Sequence, residues 1–398
     1  MEIKSIKLTN YRNYTEERVY FSPKLNVLLG KNAQGKTNLI EAIYFCSIAK
    51  SPRTKREAEL IKWEKEASNI LLEYKTKAGD KKIDVTLKRK GKKIIKLNRI
   101  NILKIADLVG AVKCVYFSPD ELKLVKDVPQ DRRKFLDTDI SQLNKNYFYN
   151  LIKYNKILDS RNKLLKEGHN SVNITETLDI WSRQLANVGA KIIVKRIEFL
   201  NKLKNYAKRS HNYLTSNTEC LDLNYQGILG ETESEIEQKL LEEYKNSTEK
   251  DLKLGYTTVG PHRDDIEMLV DNVDIRTFGS QGQHRTVALS LKLAELEIFK
   301  DESGEYPILL LDDVLSELDK ERQSKLLEIT NKIQTILTTT NVNEYLLDTA
   351  TIIRVEDGKV IRWHVKKEMF YINEQLKNGA QKGNLINLLK RWQNLQLP

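Results

Sequence analysis

Hydrophobic and polar positions fall into two kinds of pattern along the chain. Residues 3–9 alternate, with Ile3, Ser5 and Lys7 against Lys4, Ile6 and Leu8, which predicts a strand with one exposed face. Lys24-Leu-Asn-Val-Leu-Leu29 is more uniformly apolar and runs into a glycine, as a buried strand would. After Thr37, the residues Leu39, Ile40, Ile43 and Tyr44 recur at helical spacing. The first unit is therefore strand, glycine-containing loop, helix. Further on, Ile83, Val85 and Leu87 alternate with polar residues, and Ile94, Ile95 and Leu97 follow a short basic run. That is a hairpin with Gly91 near its turn and Lys88, Arg89, Lys90, Lys92 and Lys93 at its tip.

From about residue 120 to 250 the helical period dominates. One segment spans roughly 144–166, a second roughly 176–212 and a third lies near 232–246. Leu178, Trp181, Leu185, Val188, Ile192, Lys195 and Phe199 give the stripe of the second. Strands and short helices return from about 256. The pattern predicts an α/β domain made of residues 1–119 and 256–365, split by a helical insertion over 120–255. Residues 366–398 are polar, then place Leu385, Leu388, Leu389, Trp392 and Leu395 at helical spacing. They read as a tail helix that either packs back on the body or docks on a partner.

With 398 residues the chain is long enough for two or three packed units. Hydrophobic residues make up 40% and charged residues 31%, as in a folded globular protein rather than a disordered one. No window approaches the ~20 uninterrupted apolar residues of a membrane span. Met1-Glu2-Ile3-Lys4 leads straight into strand-like sequence, with no basic stub and apolar stretch of a secretory signal. Cys46, Cys114 and Cys220 are far apart and odd in number, so they read as reduced packing residues of a cytosolic protein. The net charge of +12 fits either a polyanionic partner or a solvated positive surface. The lysines at the hairpin tip carry the same two readings, nucleic-acid contact or protection of a sheet edge.

Four stretches carry the chemistry. Gly30-Lys31-Asn32-Ala33-Gln34-Gly35-Lys36-Thr37 is a phosphate loop between a predicted strand and a predicted helix. Its glycines let backbone N–H groups curl round phosphate oxygens, Lys36 reaches the β- and γ-phosphates, and Thr37 ligates Mg²⁺. This predicts ATP or GTP binding. Ile308-Leu-Leu-Leu-Asp312-Asp313 is a buried strand ending in acids, with Asp312 for the metal and Asp313 for the attacking water. Ser280-Gln281-Gly282-Gln283 opens a helix and forms a second anion-binding start. One chain with a complete phosphate loop and a second phosphate reader suggests a site shared between two copies. Ser316-Glu-Leu-Asp319 follows the acidic strand, where such paired ATPases touch. Gln334-Thr-Ile-Leu-Thr-Thr-Thr340 ends in hydroxyls placed to sense the γ-phosphate.

In this order the four stretches resemble the ATP-binding-cassette superfamily, in the branch that contains SMC proteins. Asn10-Tyr-Arg-Asn-Tyr14, Asn32-Ala-Gln-Gly-Lys-Thr-Asn38, Phe117-Ser-Pro-Asp120 with Asp131-Arg-Arg133, Val259-Gly-Pro-His-Arg-Asp-Asp265 and Leu311-Asp-Asp-Val-Leu-Ser-Glu-Leu-Asp319 narrow it to the RecF family over about residues 1–360. The resemblance implies a two-lobed α/β ABC-type ATPase head: a mixed sheet with phosphate-loop core and β-subdomain, and a helical second lobe bearing the signature turn. It implies ATP and Mg²⁺ as cofactors, slow hydrolysis, ATP-dependent homodimers, DNA binding, and work with RecR and RecO to load RecA at gapped DNA. It places Arg12, Asn13 and Asn38 by the nucleotide, Ser280 and Gln283 in a signature acting in trans, and Ser316 and Asp319 in the dimer-facing turn.

The sequence departs from cassette ATPases where they usually carry Glu, here Asp313. The usual switch histidine is absent, with Thr339 or Thr340 in its region, and no metal-sensing glutamine is obvious near Phe117-Ser-Pro-Asp120. An SMC-type head is a competing reading, but the interval from Thr37 to Ser280 leaves no room for a long coiled coil. A transporter ATPase and a non-catalytic ATP-binding DNA scaffold are the others.

Overall fold

The alternating start of the chain forms β1 (Glu2–Tyr11), which turns through Arg12 and Asn13 into β2 (Tyr14–Tyr20). The computed structural model that shows this describes residues 1–167, 174–342 and 344–363. A register shift between Ile3 and Ser5 alters the simple alternation, and Ile3 joins Ile6 and Leu8 in one core. β3 (Leu25–Leu29) delivers the chain to the glycine loop and α1 (Lys36–Ile48). β4 (Ala67–Thr76), β5 (Gly79–Lys88), β6 (Ile94–Leu97) and β7 (Ile100–Asn101) follow as an antiparallel meander. With the first hairpin they make a six-stranded sheet in the order β2-β1-β4-β5-β6-β7. β8 (Cys114–Phe117) is buried throughout.

The helical layer begins with α2 (Lys123–Lys126) and α3 (Pro129–Leu143), where Pro129 occupies the helix start. α4 (Lys145–Glu167) and α5 (Ile174–Leu214) are the long segments that the stripe predicted. β9 (Leu221–Gln226), α6 (Glu233–Asn246), α7 (Thr248–Leu254), β10 (Asp265–Val270), β11 (Val273–Asp274) and α8 (Ile275–Phe278) complete it. The expected break at residue 255 falls inside this layer. β9 pairs with β10 across it, and Ile266, Met268, Val270 and Ile275 share a core with Leu136, Ile157 and Leu185. A single short strand within a helical run hides its partner from sequence periodicity.

α9 (Gln281–Ser303) then leads to β12 (Ile308–Asp312), α10 (Lys320–Thr330), β13 (Thr335–Thr339), α11 (Glu344–Thr349), β14 (Thr351–Glu356) and β15 (Lys359–Trp363). The central sheet runs β15-β14-β3-β13-β12-β8, parallel except for β15. Alternate residues of its strands serve different cores. Leu28, Leu310 and Ile336 pack with α1 and the antiparallel sheet. Val27, Leu309, Leu311 and Leu337 pack with Leu289, Leu293 and Phe299 of α9. Parallel strands buried on both faces explain the unbroken apolar run at Ile308–Leu311. Cys46 and Cys114 are packing residues as expected, but Cys220 is exposed, in the turn that enters β9. The tail expected over 366–398 lies outside the described residues. Among the described residues, no helix is long and apolar enough to cross a membrane.

One ion pair holds the helical layer to the loop that follows it. Arg161 and Asp251 are both fully buried, and Arg161 Nη1 donates to Asp251 and to Thr257 Oγ1, each at 2.7 Å. Asp251 also accepts from the Thr258 N–H at 2.9 Å. Removing one member leaves the other charge buried and unpaired. Asp251→Ala should therefore cost about 3–5 kcal/mol in urea unfolding, and the double change Arg161→Met with Asp251→Leu should recover most of it. An unmoved midpoint for Asp251→Ala would show that the pair does not hold the layer.

Candidate nucleotide site

The parallel register brings the carboxyl ends of β3, β12 and β13 to one edge, with Leu29 opposite Thr339 and Asp312 opposite Thr338. That edge is where open α/β sheets hold ligands. Gly30 is required there: a Cβ would lie 2.3 Å from the Val355 carbonyl oxygen. The loop then turns through Ala33 and Gly35, at φ 65° and 117°, into α1. No side chain caps the start of α1, and its first turn has no acid, so its N–H groups face outward for an anion. Lys31, Asn32 and Ala33 are exposed on the loop's outer side.

Lys36 reaches across the loop and donates to the Gly30 carbonyl and, at 2.9 Å, to the Lys31 carbonyl. Burial lowers its pKa, while Asp313 and then Asp312 pull it back up. Thr37 Oγ1 donates to Asp312 Oδ1 at 2.9 Å. The loop and the acidic strand thus meet as the sequence predicted. Asp313 sits in the left-handed region at φ 55°, at the start of the short turn that follows, and its side chain makes no capping bond there. Burial raises its pKa, Lys36 opposes that, and Asp312 adds to it.

The hydroxyl that joins the acidic strand to its neighbour is Thr338, not Thr339 or Thr340. Thr338 Oγ1 donates to Asp312 Oδ1 at 2.8 Å and accepts from the Asp313 N–H at 2.9 Å. Thr339 Oγ1 donates instead to the Asn341 carbonyl at 2.8 Å. Tyr116 completes the set at 3.4 Å from Asp312 Oδ2. Sequence shows only a run of threonines here, and the parallel register selects which one faces the acid.

The turn after β1 braces the loop. Asn13 Nδ2 donates to the Gln34 carbonyl at 2.9 Å, Asn38 Nδ2 donates to Asn13 Oδ1 at 2.9 Å, and Tyr14 donates to the Gly35 carbonyl at 3.0 Å. From the other end of the chain, the Gly358 N–H donates to the Gln34 carbonyl at 3.1 Å and the Asp357 N–H to Gln34 Oε1. Arg12 is held by Glu41 of α1 through two bonds of 2.9 and 2.8 Å. Its guanidinium is engaged within the fold.

Ser280 caps α9 with a reciprocal box: its hydroxyl accepts from the Gln283 N–H at 3.2 Å, and Gln283 Oε1 accepts from the Ser280 N–H at 3.0 Å. Gln281 and Gly282 are exposed, as is Phe278 just before them at 75%. Among the described residues, no hydrogen bond or ion pair joins 280–283 to 30–37. Ser316 donates to the Asp313 carbonyl at 2.8 Å, and Asp319 caps α10. Arg285 and Glu317, to which the sequence assigned no role of their own, pair at 2.8 Å and tie α9 to the turn after β12. Of the hairpin cations, Lys88, Lys90 and Lys92 are exposed. Arg89 donates to the Lys65 and Lys62 carbonyls, and Lys93 pairs with Glu57, so both brace the fold.

Behind Tyr116 lies a cavity of about 460 Å³ lined by Asp139, Lys292 and Glu295 among others. Lys292 lies 3.1 Å from Glu121 and 3.0 Å from Glu295. Burial pushes the Asp139 carboxyl up to about 7, against the pull of Lys292 and of its hydrogen bond to Glu295.

A phosphate loop at the carboxyl edge of a parallel sheet, an acid pair on the next strand but one, and a helical layer ending in a capped turn define an ATPase head. It is the kind shared by cassette ATPases and SMC proteins. The model of the RecF/RecN/SMC N terminal domain matches residues 2–360. The chain belongs to the RecF family. It is 44% identical over 367 residues to the DNA replication and repair protein RecF of Clostridium tetani, covering 91% of this chain and 100% of that one. Its fold matches the recombination mediator protein RecF solved with ATPrS, with a TM-score of 0.85 and 37% identity over 90% of this chain and 97% of the other. An SMC head bound to the C-winged helix domain of ScpA shares the fold alone, at a TM-score of 0.54 and 16% identity over 93% of this chain and 100% of that one.

Thr338→Val keeps the shape of β13 and removes the hydroxyl shared by Asp312 and Asp313. ATP binding should stay near native while phosphate release falls about 10–100-fold. Native hydrolysis in this variant would remove Thr338 from the machinery. For Asp139 the sign follows from its raised pKa. The folded chain keeps a proton that the unfolded chain gives up from about pH 4, so this contribution is full at low pH and is lost as pH rises through about 7. Against Asp139→Asn, the native chain should lose stability across that window in paired urea titrations; parallel pH curves would show that the carboxyl does not titrate there.

Proposed function

We propose that this chain is an ATP-driven DNA-binding protein of replication and recombinational repair that acts in the cytoplasm as a head-to-tail dimer. Two copies would clasp ATP between the Gly30–Thr37 loop of one and the Ser280 turn of the other. One observation carries the reading: a complete phosphate loop and, at a separate exposed helix start, the capped Ser280 turn, with no bond between the two among the described residues. The exposed Phe278 beside that turn is a fitting interface anchor.

Lys36 and the amides of the loop bind the β- and γ-phosphates in this reading, and Ser280 and Gln283 approach from the second copy. Thr37 and Asp312, already joined at 2.9 Å, offer the hydroxyl and carboxylate that a Mg²⁺ ion takes. The ion, when bound, neutralises phosphate charge. Asp313 orients the attacking water through its shorter carboxylate, which suits slow switching rather than rapid turnover. Ser316 and Asp319 lie on the turn that would face the other copy. The net charge of +12 supports DNA as the partner. By the family's pathway, the ATP-bound dimer would help RecO and RecR load RecA where single strand meets duplex. A compact helical layer in place of a long coiled coil favours this over an SMC-type role.

The deciding variant is Ser280→Arg. It should leave monomeric ATP binding nearly intact and abolish ATP-dependent dimers in sedimentation, since a bulky cation fills the place of the partner's γ-phosphate. Asp313→Asn should bind ATP, dimerise and stall, and Lys36→Ala should lose nucleotide itself. Loss of ATP binding by monomeric Ser280→Arg would put that serine in its own chain's site and overturn the shared-site reading. DNA binding with no phosphate release from the native chain would leave only a scaffold.

A further inference from the structure

The segment from Lys50 to Glu66 and the loop between β5 and β6 form one surface beside the phosphate loop. Lys93 fastens them by pairing with Glu57 and donating to the Ala49 carbonyl at 2.9 Å. Arg89 fastens them again through its N–H to the Glu66 carbonyl at 3.0 Å and its side chain to the carbonyls of Lys65, at 2.6 Å, and Lys62, at 3.0 Å. Residues 50–66 and 88–93 hold eleven Lys and Arg against four Glu. Lys62–Lys65 is a tight turn on this surface, closed by the Lys65 N–H on the Lys62 carbonyl at 3.2 Å. Trp63 stands on the turn and is 88% exposed.

The support beneath that indole is rigid. The Lys62 N–H donates to the Asn10 carbonyl at 2.9 Å, and Lys62 Nζ donates to the Asn13 carbonyl at 3.0 Å and to Thr15 Oγ1 at 2.6 Å. Asn13 in turn bonds Gln34 of the phosphate loop. A large flat apolar ring is thus pre-positioned among cations, a short chain of contacts from the nucleotide. Cations attract phosphates without regard to sequence, and an aromatic face stacks on any base with a free face. Bases inside a duplex are already stacked on both faces, so such a ring has a face to meet on an unpaired or terminal base and not within the duplex.

We propose that Trp63 stacks on an unpaired base where single strand meets duplex, with Lys65, Lys88, Lys90 and Lys92 on the adjoining phosphates. The inference rests on the DNA-binding reading above. It also gives bound DNA a route to the phosphate loop through Lys62 and Asn13.

The test uses the full chain with a non-hydrolysable ATP analogue and two labelled DNAs of equal duplex length, one blunt and one with a single-stranded tail. Trp63→Ala should weaken binding of the tailed DNA about 5- to 150-fold, change blunt binding less than about twofold, and leave the salt slope unaltered. Trp63→Phe should keep most of the preference. Replacing Lys65, Lys90 and Lys92 by Ala should instead weaken both DNAs and flatten the salt slope. Binding of a fluorescent ATP analogue by Trp63→Ala confirms that the variant is folded. Equal losses on both DNAs, or none, would overturn the stacking role, the latter leaving the indole to a protein partner. A native chain that binds neither DNA overturns the DNA reading itself and this inference with it.

Discussion

Helix α9 has almost no solvent face along its middle, and the architecture depends on that. Leu289, Leu293, Leu296 and Phe299 point into the core of the central sheet, while Val287, Leu291, Ala294 and Ile298 point into the helical core. A helix apolar on all sides has to be buried on all sides. It therefore cements two layers that the order of elements keeps apart. The Ser280 turn is the N-terminus of this same helix, so its position is set by packing on the strands that carry Asp312 and Thr338. Two of the few charged residues inside it, Lys292 and Glu295, meet buried Asp139 and half-buried Glu121 at the seam, where Lys292 offsets the burial of the acids.

At the edge of the sheet, geometry divides the labour between adjacent acids. Asp312 receives hydroxyls from Thr37 and Thr338, with that of Tyr116 farther off, and is held in one orientation by three separate elements. Asp313, one residue on, leaves the strand in a left-handed conformation and projects toward Lys36. The first acid is fixed and buried, and the second is half-buried beside the phosphate-loop lysine. A backbone reversal between two neighbouring residues is enough to send their carboxylates into different surroundings.

The phosphate loop was legible in the sequence because all of its parts are consecutive, from Gly30 to Thr37. The stripe of α5 and the β5–β6 hairpin were legible for the same reason, since period is a local property. What the sequence did not show depends on pairing across distance. Thr338 is picked out from its neighbours only by the register of β12 on β13. The helical layer overruns residue 255 because β9 finds β10 after two helices and a loop. Arg12, placed beside the nucleotide by resemblance, is engaged by a buried glutamate whose role no motif announces. Trp63 is unremarkable in a line of charged residues until Arg89 and Lys93 draw the basic hairpin tip against its turn.

Gln34 is held from both ends of the chain, by Asn13 near the start and by Asp357 and Gly358 near the end of the described residues, and Gly30 packs on Val355. A ribosome makes the phosphate loop early and these last braces more than three hundred residues later. While synthesis continues, β3 lacks both of its neighbours in the sheet, β13 and β14, and the loop lacks half of its supports. A nascent or prematurely ended chain would thus carry the whole phosphate-binding sequence without its binding shape. A chain cut before β14 keeps the Gly30–Thr37 sequence and loses the contacts that Val355, Asp357 and Gly358 make with it.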